Sequence, residues 1–160
     1  MKVFHGTLEK NIPSIREQGL IPHSIESCEQ LKGESVTDLL AYKRCLNTAN
    51  KVFVSGVRDY AIENCRAGQE ALRYQKGMDW YEEQVRNTEC AIITFDLPDN
   101  TIILASSGER GTEHYEKDIP LIQLKNRLQD EEMVIPQQIE PNQIVSVEEN
   151  IRPERDKFII

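Results

Sequence analysis

The chain has no excess of positive charge. Against 19 Lys and Arg it carries 27 Asp and Glu, a formal charge of -8 at pH 7. A whole-chain basic footprint for nucleic acid is therefore absent. That argues against tight, sequence-blind binding to a phosphate backbone. It leaves open a local basic groove on an acidic body. The ordinary consequence of such acidity is solubility. There is also no apolar run of the length needed to cross a membrane as a helix. No signal peptide opens the chain, so the expected setting is cytoplasmic, with no membrane partner. The four cysteines, Cys28, Cys45, Cys65 and Cys90, form no CxxC pair. A chain of 160 residues can bury a core without staples. Reduced thiols in a cytosol are the simpler expectation.

Several chemical signatures are missing as well. Neither GxGxxG nor GxxxxGK[ST] occurs, so the usual phosphate-cradling loops of dinucleotide folds and P-loop enzymes are lacking. There is no HExxH. The three histidines, His5, His23 and His114, are scattered, and the His and Cys spacing makes no zinc pattern, so no metal site is expected. No GxSxG marks a nucleophile elbow. The partners of a Cys/His hydrolase meet only in space, and no local signature supports one.

What is present reads as one domain over residues 1–160, with ordinary globular hydrophobic content at 39%. Lys2–His5 predicts a short strand ended by Gly6-Thr7. Asn11–Leu20 predicts a helix with Pro13 in its first turn and Gly19 at its stop. Glu26–Glu34 is polar loop. Val36–Cys45 has a modest helical pattern through Val36, Leu39 and Leu40, and Lys51–Ser55 is a strand. Arg58 to about Val85 is the longest helical stretch, with Gly68 and Gly77 as candidate breaks. Cys90–Leu97 is a strongly apolar strand and Thr101–Ala105 a second one, joined by a Pro98–Asn100 turn. Ser106–Asp118 reads as loop, and Ile119–Leu128 has no clear type. Strands follow at Glu132–Pro136 and Ile144–Val147, and Phe158–Ile160 is a candidate edge strand. Helices early and strands late, with hairpin-like spacings, make an α+β class.

Three segments carry chemical interest. In Val3-Phe4-His5-Gly6-Thr7 a histidine ends a strand, next to a glycine whose backbone can approach a ligand and a threonine hydroxyl. A turn that satisfies the histidine explains it equally well. In Val52-Phe53-Val54-Ser55, followed by Arg58-Asp59-Tyr60-Ala61, a strand ends in a hydroxyl and a helix opens with an aromatic ring. The same residues suit a plain strand-to-helix turn. In Asp130-Glu131-Glu132-Met133-Val134-Ile135-Pro136 an acidic cluster feeds an apolar strand. It suits either a carboxylate facing a cleft or a solvated loop.

Taken in order, the three segments resemble the ADP-ribosyltransferase superfamily, in its His-Tyr-Glu branch of diphtheria-toxin-like enzymes and poly-ADP-ribose polymerases. The similarity is greatest to small bacterial toxin-type members, including those that act on DNA. It also rests on Ser14-Ile15-Arg16-Glu17-Gln18-Gly19-Leu20 and on Glu132-Met133-Val134-Ile135-Pro136 with Ile139, Pro141 and Ile144. It is weakest over 26–50 and 66–90. The resemblance implies split β-sheets, mixed or antiparallel, with flanking helices around an NAD cleft. It implies that His5 hydrogen-bonds a ribose hydroxyl and that Gly6 binds the nicotinamide amide, with Thr7 beside it. It further implies that Ser55 supports the nicotinamide site and that Tyr60 stacks on the ring. Phe53 stands where the branch usually has tyrosine, which keeps a ring and removes a hydroxyl.

Glu132 is the implied catalytic residue, with Glu131 as its rival, because alternate strand residues face a cleft. Cleavage of the nicotinamide–ribose bond builds oxocarbenium-like charge, which a fixed carboxylate stabilises. Asp130 stands where many members place Glu or Gln to receive the acceptor, so the acceptor stays unnamed. Lys125 and Arg127 lie in the implied acceptor-recognition segment, where they equally suit solvated charges. The expected activity is mono-ADP-ribosyl transfer from NAD, the co-substrate, to a macromolecular acceptor, protein or nucleic acid, with nicotinamide released. A toxin or effector role with an antitoxin or inhibitor protein as partner fits the size. One alternative is a catalytically silent domain binding an NAD-like ligand or a partner. Another is an NAD-dependent RNA 2′-phosphotransferase, disfavoured because no arginine flanks His5.

Overall fold

The computed structural model describes residues 1–66, 69, 72–106, 115–126 and 133–153. Among them the chain is α+β, with two antiparallel sheets and a few helices. The first sheet has the order β1-β3-β7, from β1 (Lys2–Leu8), β3 (Cys90–Asp96) and β7 (Ile144–Ile151). The second has the order β2-β6-β4-β5, from β2 (Val52–Val54), β6 (Met133–Ile135), β4 (Ile102–Ser106) and β5 (Tyr115–Pro120).

The continuous apolar run of β3 is explained by its position. It lies between β1 and β7, and every residue from Cys90 to Phe95 is buried, so neither face needs polar side chains. β1 continues through Gly6 and Thr7 instead of ending there. β3 offers partners as far as Cys90, opposite Leu8, so the backbone groups of Gly6 and Thr7 are used in the ladder. The main core gathers Val3, Val52, Val54, Ile93, Phe95, Ile103, Met133 and Ile135 from both sheets.

Helix α1 (Ile12–Gln18) covers one end of that core with Ile12 and Ile15. Asn11 stands at its entrance, but its side chain does not cap the helix; it reaches back to Thr7. Gly19 stops the helix at φ +77°. A Cβ there would lie 2.0 Å from the Ile139 carbonyl oxygen. That space is needed because Leu20 and Ile139 exchange two backbone hydrogen bonds, at 2.9 and 3.0 Å.

Helix α2 (Val36–Thr48) starts at Ser35, whose hydroxyl accepts from the Asp38 N–H at 3.1 Å. Its expected apolar face is not buried. Val36, Leu39 and Leu40 are 75%, 49% and 61% exposed, and Ala41 alone is buried. The long helical stretch after Arg58 is broken up. It comprises α3 (Arg58–Glu63), short turns of helix at Arg73–Lys76 and Met78–Tyr81, and a π-helical turn at Glu82–Arg86. Gly77, at φ +94°, makes one of the breaks; Gly68 lies outside the described residues. The expected loop before Asp118 is strand from Tyr115 onward, because β5 pairs with β4. Leu121–Asn126 is a 3-10 helix, and Phe158–Ile160 lies outside the described residues. No helix among the described residues is long and apolar enough to cross a membrane.

Gly6 lets the layers meet. A Cβ on Gly6 would lie 2.0 Å from the carbonyl oxygen of Ala61 in α3. The obstacle is backbone, so it cannot swing aside. Gly6→Ala is expected to destabilise the fold by about 1–3 kcal/mol, the range of an overpacked core. Urea unfolding, wild type beside variant, checks this; an unchanged midpoint would refute the packing argument.

Candidate functional site

The two sheets meet where β1 passes β2. Phe4 N–H donates to the Ser55 carbonyl at 2.7 Å, and Ser55 N–H donates to the Phe4 carbonyl at 2.8 Å. Beside this junction opens a cleft of about 580 Å³, within the range of small-molecule sites. His5, Gly6, Thr7, Phe53, Ser55 and Tyr60 all line it. Two stretches of sequence some fifty residues apart, 5–7 and 53–60, thus converge on one concave surface.

The Nδ1 of His5 lies 2.8 Å from the carbonyl oxygen of Phe53. A carbonyl can only accept, so Nδ1 carries the proton and Nε2 is the free acceptor of the neutral ring. Burial lowers the His5 pKa below its ordinary value; the Phe53 hydrogen bond opposes this with a smaller effect. The ring is accordingly neutral at neutral pH.

The other hydroxyls are partly committed to structure. Thr7 Oγ1 accepts from Asn11 Nδ2 at 3.0 Å. Ser55 is buried, and its Oγ accepts from the Val57 N–H at 2.9 Å, which fixes the turn into α3. Phe53 and Tyr60 are half-buried and line the cleft. Arg58 anchors the start of α3 by a two-pronged ion pair with Glu148 of β7, at 2.8 and 3.0 Å. That contact steadies the helix carrying Tyr60.

Glu132, Glu131 and Asp130 lie outside the described residues, as do Arg127 and the side chain of Lys125. Met133, next in the chain after Glu132, pairs with Val54, one residue before Ser55.

Sequence reasoning missed the charge of the cleft. Arg44 of α2 and Lys51 before β2 line it, together with His23, and no Asp or Glu is among the described lining residues. These described lining residues carry positive charge on a chain whose total is -8. A signal was present. Residues 39–58 contain Lys43, Arg44, Lys51 and Arg58 and no acidic residue. That stretch falls largely in the region where the family resemblance is weakest.

The cysteines correct the expectation of free thiols. Cys28 is bonded to Cys45 and Cys65 to Cys90, with Cα separations of 5.7 and 6.3 Å. The partners are 17 and 25 residues apart in sequence, so no local spacing reveals them. Cys28–Cys45 joins the 3-10 helix Glu26–Leu31 to α2, and Cys65–Cys90 joins the chain after α3 to the start of β3. Ligand atoms of His23, Cys28 and Cys45 all lie within 4.8 Å of one another.

The lowered pKa of His5 has a consequence for stability. The unfolded chain takes up the proton at higher pH than the folded one, so folding is opposed as pH falls below the ordinary histidine value. The penalty is absent above about 6.5, the unperturbed value, and grows as pH falls from there toward the lowered folded value. His5→Asn keeps an N–H donor near Nδ1 and does not titrate. It is expected to flatten the loss of stability between about pH 6.5 and 5, read by denaturant unfolding across that range. Equal slopes for both proteins would refute a neutral, half-buried His5. Compared with family models and with curated proteins, the chain matches none.

Proposed function

We propose that the chain is an NAD-dependent mono-ADP-ribosyltransferase that transfers ADP-ribose to a macromolecular acceptor, protein or nucleic acid, and releases nicotinamide. The supporting observation is the convergence of six residues from two distant segments on one cleft without described carboxylates. These are the six residues that the family resemblance links to NAD. The two-sheet arrangement with a cleft at its junction is in keeping with that scaffold.

The chemistry follows from the groups present. The Nε2 of neutral His5 accepts a hydrogen bond from a ribose hydroxyl. The rings of Phe53 and Tyr60 offer flat surfaces to the nicotinamide. Arg44 and Lys51 offset the charge of the pyrophosphate. The glycosidic C–N bond breaks with its electron pair going to nicotinamide, which leaves neutral. The ribose carbon becomes positive until the acceptor's nucleophile forms the new bond and loses its proton. A cleft lined by cations opposes that developing charge, so the reaction needs a carboxylate from elsewhere in the chain. Glu132 is assigned that part, holding the ribose 2′-hydroxyl and stabilising the oxocarbenium-like state. The proposed setting is the cytoplasm, with an antitoxin or inhibitor protein as a further partner.

Nicotinamide release from NAD tests the reading, with and without whole-cell extract. Wild type is expected to release nicotinamide, faster with extract, and Glu132→Gln to lose it by about a hundredfold or more, as for other fixed transition-state stabilisers. Arg44→Ala and Lys51→Ala are each expected to raise the KM for NAD about tenfold, the size of a lost charge-assisted hydrogen bond. Folded protein that binds NAD without turnover would shift the reading to a silent binding domain. Folded protein that neither binds nor cleaves NAD would sink it.

A further inference from the structure

The two cysteine pairs have different surroundings. Cys65 and Cys90 are buried in an apolar cluster with Leu8, Tyr81 and Val85. Among the described residues, no third donor is grouped with them. Cys28 and Cys45 instead have His23 beside them, with ligand atoms of all three within 4.8 Å of one another. Cys28 is buried, Cys45 half-buried and His23 exposed. His23 and Cys45 both line the cleft.

We infer that, when this pair is reduced, His23, Cys28 and Cys45 form a binding site for a thiophilic divalent cation of the zinc type, with its open side toward the cleft. The donor set selects the class of ion. Two thiolates and an imidazole suit zinc and its neighbours, and there is no carboxylate in the group to favour calcium or magnesium. Three protein ligands leave a fourth tetrahedral position for water or a cleft ligand.

The histidine is already held for the task. His23 Nε2 lies 2.9 Å from the Cys45 carbonyl oxygen, so it carries the proton and donates it there. Thr48 Oγ1 lies 3.3 Å away. With Nε2 turned to that carbonyl, Nδ1 is the ring nitrogen whose lone pair is left to offer a metal. A ring N–H held by a backbone carbonyl is the usual outer-shell support of a metal-bound imidazole. The backbone of the same residue is fixed by Asn50, whose N–H donates to the His23 carbonyl at 2.8 Å.

Binding exchanges protons and no electrons. Each thiol loses one proton to solvent, and the cation takes two thiolates and the neutral imidazole. With Zn–S distances of about 2.3 Å, tetrahedral geometry holds the sulfurs about 3.8 Å apart. Rotation about the two Cα–Cβ bonds reaches that spacing from a Cα separation of 5.7 Å. A bound ion and the Cys28–Cys45 disulfide are therefore mutually exclusive states of one site. A reducing compartment favours the dithiol, which is the form that takes the metal.

The experiment uses the full chain, reduced with a thiol-free phosphine, and Co²⁺ as a spectroscopic substitute for Zn²⁺. One equivalent of Co²⁺ is expected to produce a thiolate-to-cobalt charge-transfer band, which Zn²⁺ removes. Cys28→Ser and Cys45→Ser are each expected to abolish the band. His23→Ala is expected to weaken Co²⁺ affinity about tenfold or more, at the scale of damage to a metal's ligand shell. A second readout needs only wild type: Zn²⁺ should shield Cys28 and Cys45 from alkylation, mapped by mass spectrometry. Reduced protein with four titratable thiols and no such band overturns the inference. So does shielding that falls on Cys65 and Cys90 instead. Neither measurement involves NAD, so the result stands apart from the proposed activity.

Discussion

The reciprocal hydrogen bonds between Phe4 and Ser55 are the constraint on which the cleft depends. Each such bond contributes only about 1 kcal/mol net. Their consequence is mainly geometric. They join a three-stranded sheet to a four-stranded one at a single residue pair. Once Phe4 faces Ser55, His5 comes within reach of the Phe53 carbonyl. The buried Ser55 hydroxyl then turns the chain into α3, and α3 carries Tyr60 to the same wall. Backbone pairing thereby sets the places of the ring nitrogen, the two aromatic rings and the helix entrance together.

The cleft's electrostatics differ from those of the molecule around it. The chain as a whole repels anions, yet Arg44, Lys51 and two histidines line this surface without a described carboxylate. His5 adds no positive charge at neutral pH, because burial disfavours its protonation. It acts there as a polar, directional acceptor. Charge and hydrogen-bonding direction are thus supplied by separate elements: α2 and the start of β2 for the first, β1 for the second.

Much of the strand content was legible in the sequence, for a physical reason. β3 is apolar on both faces, and β2 and β6 are short, buried runs bounded by turn residues, so local composition marks them. The end of β1 was not legible. Gly6-Thr7 looks like a stop until β3 is known to supply its partners. The helical stretch after Arg58 was legible in part: Gly77 marks one break, whereas helical spacing does not mark the π-helical turn at Glu82–Arg86. Val36, Leu39 and Leu40 make an apolar pattern on α2 that the described fold leaves exposed. Of the candidate site, His5, Phe53, Ser55 and Tyr60 could be named through the ordered family resemblance, and all four line the cleft. The cysteine pairs and the cations of α2 could not, since only tertiary folding brings them to the cleft.

A glycine at position 6 suits close approach of another group to the backbone. The space its missing side chain leaves is taken by the carbonyl of Ala61, one residue after Tyr60. The glycine therefore works as a spacer of minimum thickness between β1 and α3. It sets how near Tyr60 stands to the neighbouring His5. Any larger residue there would have to lift the helix, and the aromatic wall of the cleft would rise with it. The width of the cleft at this point is then governed by the smallest side chain in the strand.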